Sequence, residues 1–473
     1  MSPFLFLLKR AIHTENVMRL FSYASFIAFA GGLSGLLLGL DTGVIAGALP
    51  LIKMDWHVTN PVTLGLIVSI LLLGALIGAV IGGPISKRFG RKFVILMAAI
   101  IFTLCALLSG LAPNVSFLIT TRFFLGIALG LASFIAPIYL SEISSSQRRG
   151  AVVSIYQLMI TVGLLMAFVL DTYFSSAANW RLMLLSVALP ALMMFVFALF
   201  LPKSPRWLVM RGCEEEAKAV LSKIFGKEHL ERQFQQISMS FNQQTSLNAG
   251  QVKLAFFKLV FLGFILQMLQ QWTGINAIMY YAPTVFKAAG FATLNDQMWC
   301  TVAVGVVNVL TTLVAIWCID RLGRRPILMA GLSIMLVALG TMVYVLNASS
   351  SSLHILSVSA VLLYIFGFAV SLGPVVWLLC SEIFPLSMRD SGVVFTTVSN
   401  WACNFILSQN FPWLVQKLSI SHVFMIFFMM CILGLILVHY LVPETKGVAL
   451  EVIESNVLAD KPLRQLASHG VLE

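Results

Sequence analysis

GGLSGLLLGLDTGVIAGALP, residues 31–50, is an apolar run of membrane-spanning length that carries one carboxylate, Asp41, well inside it. A charged side chain at membrane depth costs at least about 2.5 kcal/mol on insertion scales, so such an acid needs a partner or a proton and is a functional hypothesis in itself. Glycines at 31, 35, 39, 43 and 47 recur every fourth residue, which leaves one helix face as bare backbone against which a second helix can pack closely. The run is too long and too apolar around Asp41 for a capped helix of a soluble core. Asp41 is therefore expected in a helix built for the interior of a membrane protein.

Composition outside this run agrees. The chain has 473 residues, is 59% hydrophobic and only 10% charged, with a mean hydropathy of +0.95, which excludes a soluble globular protein of this length. Thirty-five Phe and 33 Gly fit lipid-facing bulk combined with close helix contacts, whereas a barrel would alternate polar and apolar residues. The seven cysteines are odd in number, show no C-x-x-C spacing and lie mostly inside apolar runs, so they read as small core residues. Near the N-terminus the short apolar run Pro3 to Leu8 precedes Lys9 and Arg10, the reverse of a signal peptide's charge order, and no cleavage is expected.

Apolar segments of spanning length fall at 23–49, 64–84, 93–111, 116–140, 151–171 and 182–201, then at 254–282, 297–319, 326–346, 354–380, 391–415 and 422–441. Between the two sets of six lies a polar stretch, rich in Glu, Lys and Gln, with helical spacing and no membrane-length run. The expected architecture is an all-α membrane protein with twelve transmembrane helices in two six-helix bundles, 23–201 and 254–441. A cytoplasmic N-terminus (1–22), a cytoplasmic helical linker (202–253) and a short polar cytoplasmic tail (442–473) complete it. With the N-terminus inside, only Lys53, Arg181, Lys287 and Lys417 of the 30 Lys and Arg fall outside, and Arg122 falls within the membrane. The net charge of +11 is thus the positive-inside pattern of the inner membrane and not a site for nucleic acid.

The two halves repeat. KRFGRK (Lys87–Lys92) follows the second apolar segment and DRLGRRP (Asp320–Pro326) the eighth; SEISSSQRRG (Ser141–Gly150) follows the fourth and SEIFPLSMRDSG (Ser381–Gly392) the tenth. Ordered motifs at matching places in both halves imply parallel repeats about an axis along the membrane normal, with a cavity between the bundles.

These motifs make the chain resemble a sugar porter of the major facilitator superfamily, of the bacterial group that moves galactose, arabinose or xylose with a proton. GLDTGVIAG (Gly39–Gly47), GRK and GRR in the two short loops, PKSPRWL (Pro202–Leu208), QQWTGINAIMYYAP (Gln270–Pro283) and PETKG (Pro443–Gly447) carry the resemblance, which spans about residues 25 to 455. Two positions depart from the pattern: Lys87 stands where the first short loop usually has Asp, and Lys203 where Glu or Asp usually precedes Ser-Pro-Arg.

Depth arithmetic pairs Asp41 with Arg122. At 1.5 Å per residue they lie about 12 and about 9 Å below the outer ends of the first and fourth helices, as the only deeply embedded unlike charges of the N-terminal half. An ion pair is expected while Asp41 is ionised, and its protonation would release Arg122, which stays charged. The resemblance makes Asp41 the proton site. In the seventh segment Gln267, Gln270, Gln271 and Gly274 share one helix face. Amides both donate and accept, which suits sugar hydroxyls and not an anion or a hydrophobic drug. Asn276 joins this cluster only if the helix is interrupted near Thr273 and Gly274, as helices at transporter sites often are. The resemblance adds Gln157, Trp377 after Gly373-Pro374, and Asn400 with Trp401; an indole can stack on the C–H face of a pyranose while amides hold its rim.

At the cytoplasmic helix ends Arg88, Arg91, Glu142, Arg149, Arg321, Arg325, Glu382 and Arg389 are expected to form inter-bundle salt bridges that close an inner gate and break when it opens. No nucleophile–base constellation, metal-ligand spacing or phosphate-cradling Gly-rich loop is present, so an enzyme, a metal, another cofactor and ATP are not expected. The expected function is proton-coupled uptake of a neutral monosaccharide, hexose or pentose, by a monomer in a lipid bilayer. The alternatives are a sugar uniporter, which Asp41 opposite Arg122 argues against, and a sugar sensor, for which a long signalling tail would be expected.

Overall fold

The structure is a computed structural model and describes residues 23–144, 149–225, 230–231, 234–235, 237–238, 249–348, 353–384, 389–448, 450–459 and 461–467. The expected cytoplasmic N-terminus (1–22), most of the linker from 226 to 248, and the side chains of Arg149 and Arg389 lie outside what is described.

Twelve spanning helices are formed. The first bundle holds α1 (Tyr23–Asp55), α2 (Pro61–Phe89), α3 (Arg91–Gly110), α4 (Val115–Ile143), α5 (Arg149–Ser175) and α6, split into Trp180–Ser186 and Ala188–Phe200. The second holds α7, in three segments (Ala249–Trp272, Ile275–Tyr280, Ala282–Ala288), α8 (Leu294–Leu322), α9 (Arg324–Ala348), α10, in two segments (His354–Val370, Leu372–Glu382), α11 (Arg389–Leu418) and α12 (Ile420–Leu441). Ten of the twelve are apolar and long enough to cross a membrane unaided. The other two are α7, which is broken, and α11, whose span includes Asn400, Asn404, Gln409 and Asn410. The helices that depart from plain membrane spans are thus the ones that carry the polar cluster described below.

The glycine face of α1 meets α5. A Cβ on Gly35 or Gly39 would strike the carbonyl of Tyr156 or Ile160, one on Gly43 the side chain of Ala167, and one on Gly47 the carboxyl group of Asp171. Backbone lies on backbone, a contact no larger residue permits.

Between the bundles, α2 packs on α11 and α5 on α8. Ser69 of α2 donates to Gln409 Oε1 of α11 at 2.6 Å, and Gln409 Nε2 donates to the Val62 carbonyl at 3.1 Å. The second and third segments of α7 pack on α1, at the end away from the Arg- and Lys-rich loops. Helices α4 and α10, which end at those basic loops, form no comparable contact among the described residues. The molecule is therefore closed at one end and parted at its basic face.

Two short helices, Pro205–Met210 and Glu214–Phe225, follow the first bundle, where Leu208, Ala217 and Leu221 form a small apolar core of their own. The tail is more ordered than its polar composition implies. A helix over Leu450–Leu458 docks on α7, and Ile453, Val457 and Leu466 are buried there.

Candidate functional site

The α7 break is built by three groups. Gly274 has φ +101°, a left-handed conformation natural to glycine, and a Cβ there would enter the Phe427 ring. Tyr364 Oη donates to the freed Thr273 carbonyl at 3.0 Å. With the helix interrupted, Asn276 swings onto the Gln face: its Nδ2 donates to Gln271 Oε1 at 2.7 Å.

Behind it stands a hub. Asn400 Nδ2 of α11 donates to Gln267 Oε1 and to Gln270 Oε1, both at 2.6 Å. Gln270 Nε2 donates in turn to the Leu372 and Gly373 carbonyls, at 2.8 and 3.1 Å, where α10 is broken. Gln270 thus spends both of its N–H bonds on holding α7, α10 and α11 together. Gln271 and the half-buried Asn276 are the cluster's front, because the Asn276 carbonyl is not taken up by the protein. The structure does not bring the remaining expected residues into this network by hydrogen bonds. Gln157 is half-buried on α5 in the other bundle, Trp377 is 37% exposed, and Trp401 is buried with its indole N–H unpartnered.

Residues not anticipated extend the cluster. Asn404 Nδ2 donates to Tyr280 Oη at 3.3 Å, Ser408 Oγ donates to Asn404 Oδ1 at 2.9 Å, and Tyr281 Oη donates to the Ser408 carbonyl at 3.0 Å. The signal was legible: Asn400, Asn404 and Ser408 recur every fourth residue on one face of α11.

In the first bundle Asp41 and Arg122 are both buried, 1% and 2% exposed, and near enough for the charge of one to act on the other. They do not form the expected contact ion pair. Between described residues the pairs within 4.0 Å are Arg91–Glu142, Lys203–Glu216 and Arg324–Glu382, while Asp41 Oδ2 and Arg122 Nε have no hydrogen-bond partner. Tyr280, reaching over from the other bundle, lies beside Thr42 and faces both charges. A second acid also corrects the reading of Asp41 as the only deep one. The fifth helix runs on to Ser175 rather than ending at 171, which leaves Asp171 a turn inside and fully buried.

The basic face is pinned within each bundle. Arg91 forks onto Glu142, with Nη2 at 2.9 Å and Nε at 3.0 Å, and Ser204 Oγ donates to the same carboxylate at 2.6 Å. In the second half Arg324 pairs with Glu382 at 2.9 Å, and Thr445 donates to Glu382. Of the gate residues expected from the sequence, Arg325 donates to the His439 carbonyl at 2.8 Å, Arg321 lies over Trp317, and Arg88 over Phe89. With the basic ends of the bundles parted, each Glu keeps a partner from its own bundle.

The symmetry exposes what Lys203 lacks. Pro443-Glu444-Thr445 occupies the place of Pro202-Lys203-Ser204, and Glu444 accepts the backbone N–H groups of Arg324 and Arg325 at 3.0 Å each, capping the start of α9. Lys203 has no acceptor to offer α3 and pairs on the surface with Glu216 at 2.9 Å. Lys203→Glu is expected to raise the thermal transition, since a cap is worth about 0.5–2 kcal/mol and an exposed ion pair about 0–1. A thermal melt of the purified variant that falls below wild type would refute this.

Comparison with known proteins shows what the chain as a whole is similar to. The chain is 41% identical over 449 residues to the galactose-proton symporter of Escherichia coli strain K12, covering 94% of this chain and 96% of that protein. It is 42% identical over 456 residues to the arabinose-proton symporter of the same strain, covering 93% and 95%. Its fold matches the partially occluded inward open conformation of the E. coli xylose transporter XylE with a TM-score of 0.81 at 28% identity, covering 90% of this chain and 99% of that one. The model of the sugar (and other) transporter family matches residues 27–456, and the chain belongs to that family.

Proposed function

We propose that the protein carries a neutral monosaccharide, hexose or pentose, inward across the cytoplasmic membrane together with a proton. The observation that carries this reading is the meeting of two unlike sites at the bundle interface. Asp41 and Arg122 are buried charges in one bundle, and the uncharged amide cluster of α7 and α11 lies in the other, with Tyr280 bonded to Asn404 of that cluster and near enough to both charges to feel them. The relatives named as galactose- and arabinose-proton symporters support it.

In this reading the basic face is cytoplasmic, both termini lie there, and a monomer within the bilayer is the working unit. The state described is parted toward the cytoplasm. Gln271, Asn276 and Asn400 hold sugar hydroxyls, Trp377 and Trp401 supply an apolar wall, and Gln157 closes the site from the opposite bundle. Gln270 shapes this surface more than it contacts the sugar. Asp41 takes the proton from outside, which removes its charge from near Arg122 and lets the bundles rock; the proton leaves on the cytoplasmic side. Arg88, Arg91, Glu142, Arg149, Arg321, Arg325, Glu382 and Arg389 belong to the inner gate, with Arg324 as the working partner of Glu382.

Uptake of a panel of labelled monosaccharides into cells expressing the chain, with and without a protonophore, tests this. Accumulation of at least one sugar that the protonophore abolishes is expected. Equilibration without accumulation would make the protein a uniporter, and no uptake of any sugar would overturn the reading.

A further inference from the structure

Among the described residues of the first bundle, Asp41, Arg122 and Asp171 are charged side chains buried without an ion-pair contact. The third has no part in the transport cycle above. Asp171 Oδ2 accepts the backbone N–H of Gly47 at 3.0 Å, while Oδ1 is shut from solvent with no partner. No Lys or Arg nitrogen among the described residues lies within 4.0 Å of it. It reaches Gly47 only because that residue lacks a Cβ, which would sit 2.5 Å from Oδ2.

The place it grips is a weak one. Pro50 lies inside α1, and a proline there removes one main-chain hydrogen bond and crowds the carbonyl four residues back, that of Ala46. Gly47 is the next residue. The Ala46 carbonyl thus loses its intrahelical donor, and the same turn is tied to α5 where Asp171 accepts the Gly47 N–H. Six residues along the same helix is Asp41, and the far end of α1 carries the contacts with α7 that close the molecule away from its basic face.

We propose that Asp171 is a positioning residue for proton coupling: by docking its carboxyl on the Gly47 amide it holds the Pro50-weakened turn of α1 in register with α5 and so fixes the setting of Asp41 relative to Arg122. The role needs an acceptor oxygen at this point, not a negative charge. Asp41 lies six residues from Gly47 on α1, and Asp171 acts on its balance with Arg122 through the helix rather than by contact. This inference rests on Asp41 being the proton site.

Three variants in proteoliposomes test it, each read as sugar uptake against pH together with sugar binding to the purified protein. Asp171→Asn keeps an acceptor for Gly47 and is expected to show the wild-type pH profile. Asp171→Leu keeps the bulk but loses the acceptor, and Gly47→Ala pushes the carboxyl away from the other side. Both are expected to move the pH of half-maximal uptake by about one unit with sugar binding unchanged. Where Asp171→Leu does not reach the membrane, Gly47→Ala decides. A wild-type profile in Gly47→Ala overturns the proposal, as does Asp171→Asn behaving like Asp171→Leu, which would make Asp171 a titrating group. Absence of any pH dependence in the wild type would instead remove the symport reading on which the proposal stands.

Discussion

Asp41→Asn is expected to lose uphill accumulation of sugar altogether while sugar exchange at equal concentrations survives at least in part. Asparagine keeps the size of the side chain and can still hydrogen-bond, but it holds no proton, so the variant is fixed in the neutral state. A pH step of one unit is worth about 1.4 kcal/mol, enough for a one-proton symporter to reach up to about tenfold accumulation. The variant should stay near onefold at the same step. Sugar binding should persist, because Gln271, Asn276 and Asn400 belong to the other bundle. Proteoliposomes with an imposed pH step, compared with counterflow at equal pH, separate accumulation from exchange. Should Asp41→Asn still concentrate sugar, the proton site lies elsewhere. Asp171 would then be considered first, since Glu142 is held by the forked Arg91 and by Ser204.

The fold was legible because a membrane imposes its own arithmetic. Spanning length, placement of Lys and Arg, and the repeated short-loop motifs each constrain the chain independently, and all twelve expected segments overlap observed helices. Helix ends were less legible. The apolar segment 151–171 ends at Asp171, yet the helix continues to Ser175 and buries the acid against a glycine. A buried carboxyl on a backbone amide leaves no compositional trace; its signature is Gly47 on another helix, which only packing brings alongside. The same holds for Arg324 against Arg325. Both follow Gly323, and which of them faces Glu382 depends on the rotation of α9 at its first turn. Depth arithmetic sets Asp41 and Arg122 at one level, but depth along two helices does not fix the distance between side chains. Tyr280, from the opposite bundle, comes near both charges.

The amide cluster shows how chemistry and scaffold divide among like residues, and substitution separates them. Gln271→Ala removes the acceptor of Asn276 and a rim amide but leaves Gln270, Asn400 and the α10 carbonyls bonded to one another. It is expected to weaken sugar binding by about 1 to 3 kcal/mol, about fivefold to more than a hundredfold in Kd, with the thermal transition nearly unchanged. Gln270→Ala leaves the Leu372 and Gly373 carbonyls without that donor and strips Asn400 of one of its two acceptors, all in buried surroundings. It is expected to lower the thermal transition as well as weaken binding, since unpartnered buried polar groups each cost about 1 to 3 kcal/mol. Equilibrium binding and thermal melts on the two purified variants decide between the roles. Equal thermal losses would mean that both amides are scaffold, and wild-type binding of every tested sugar by both would place the sugar site off this face of α7.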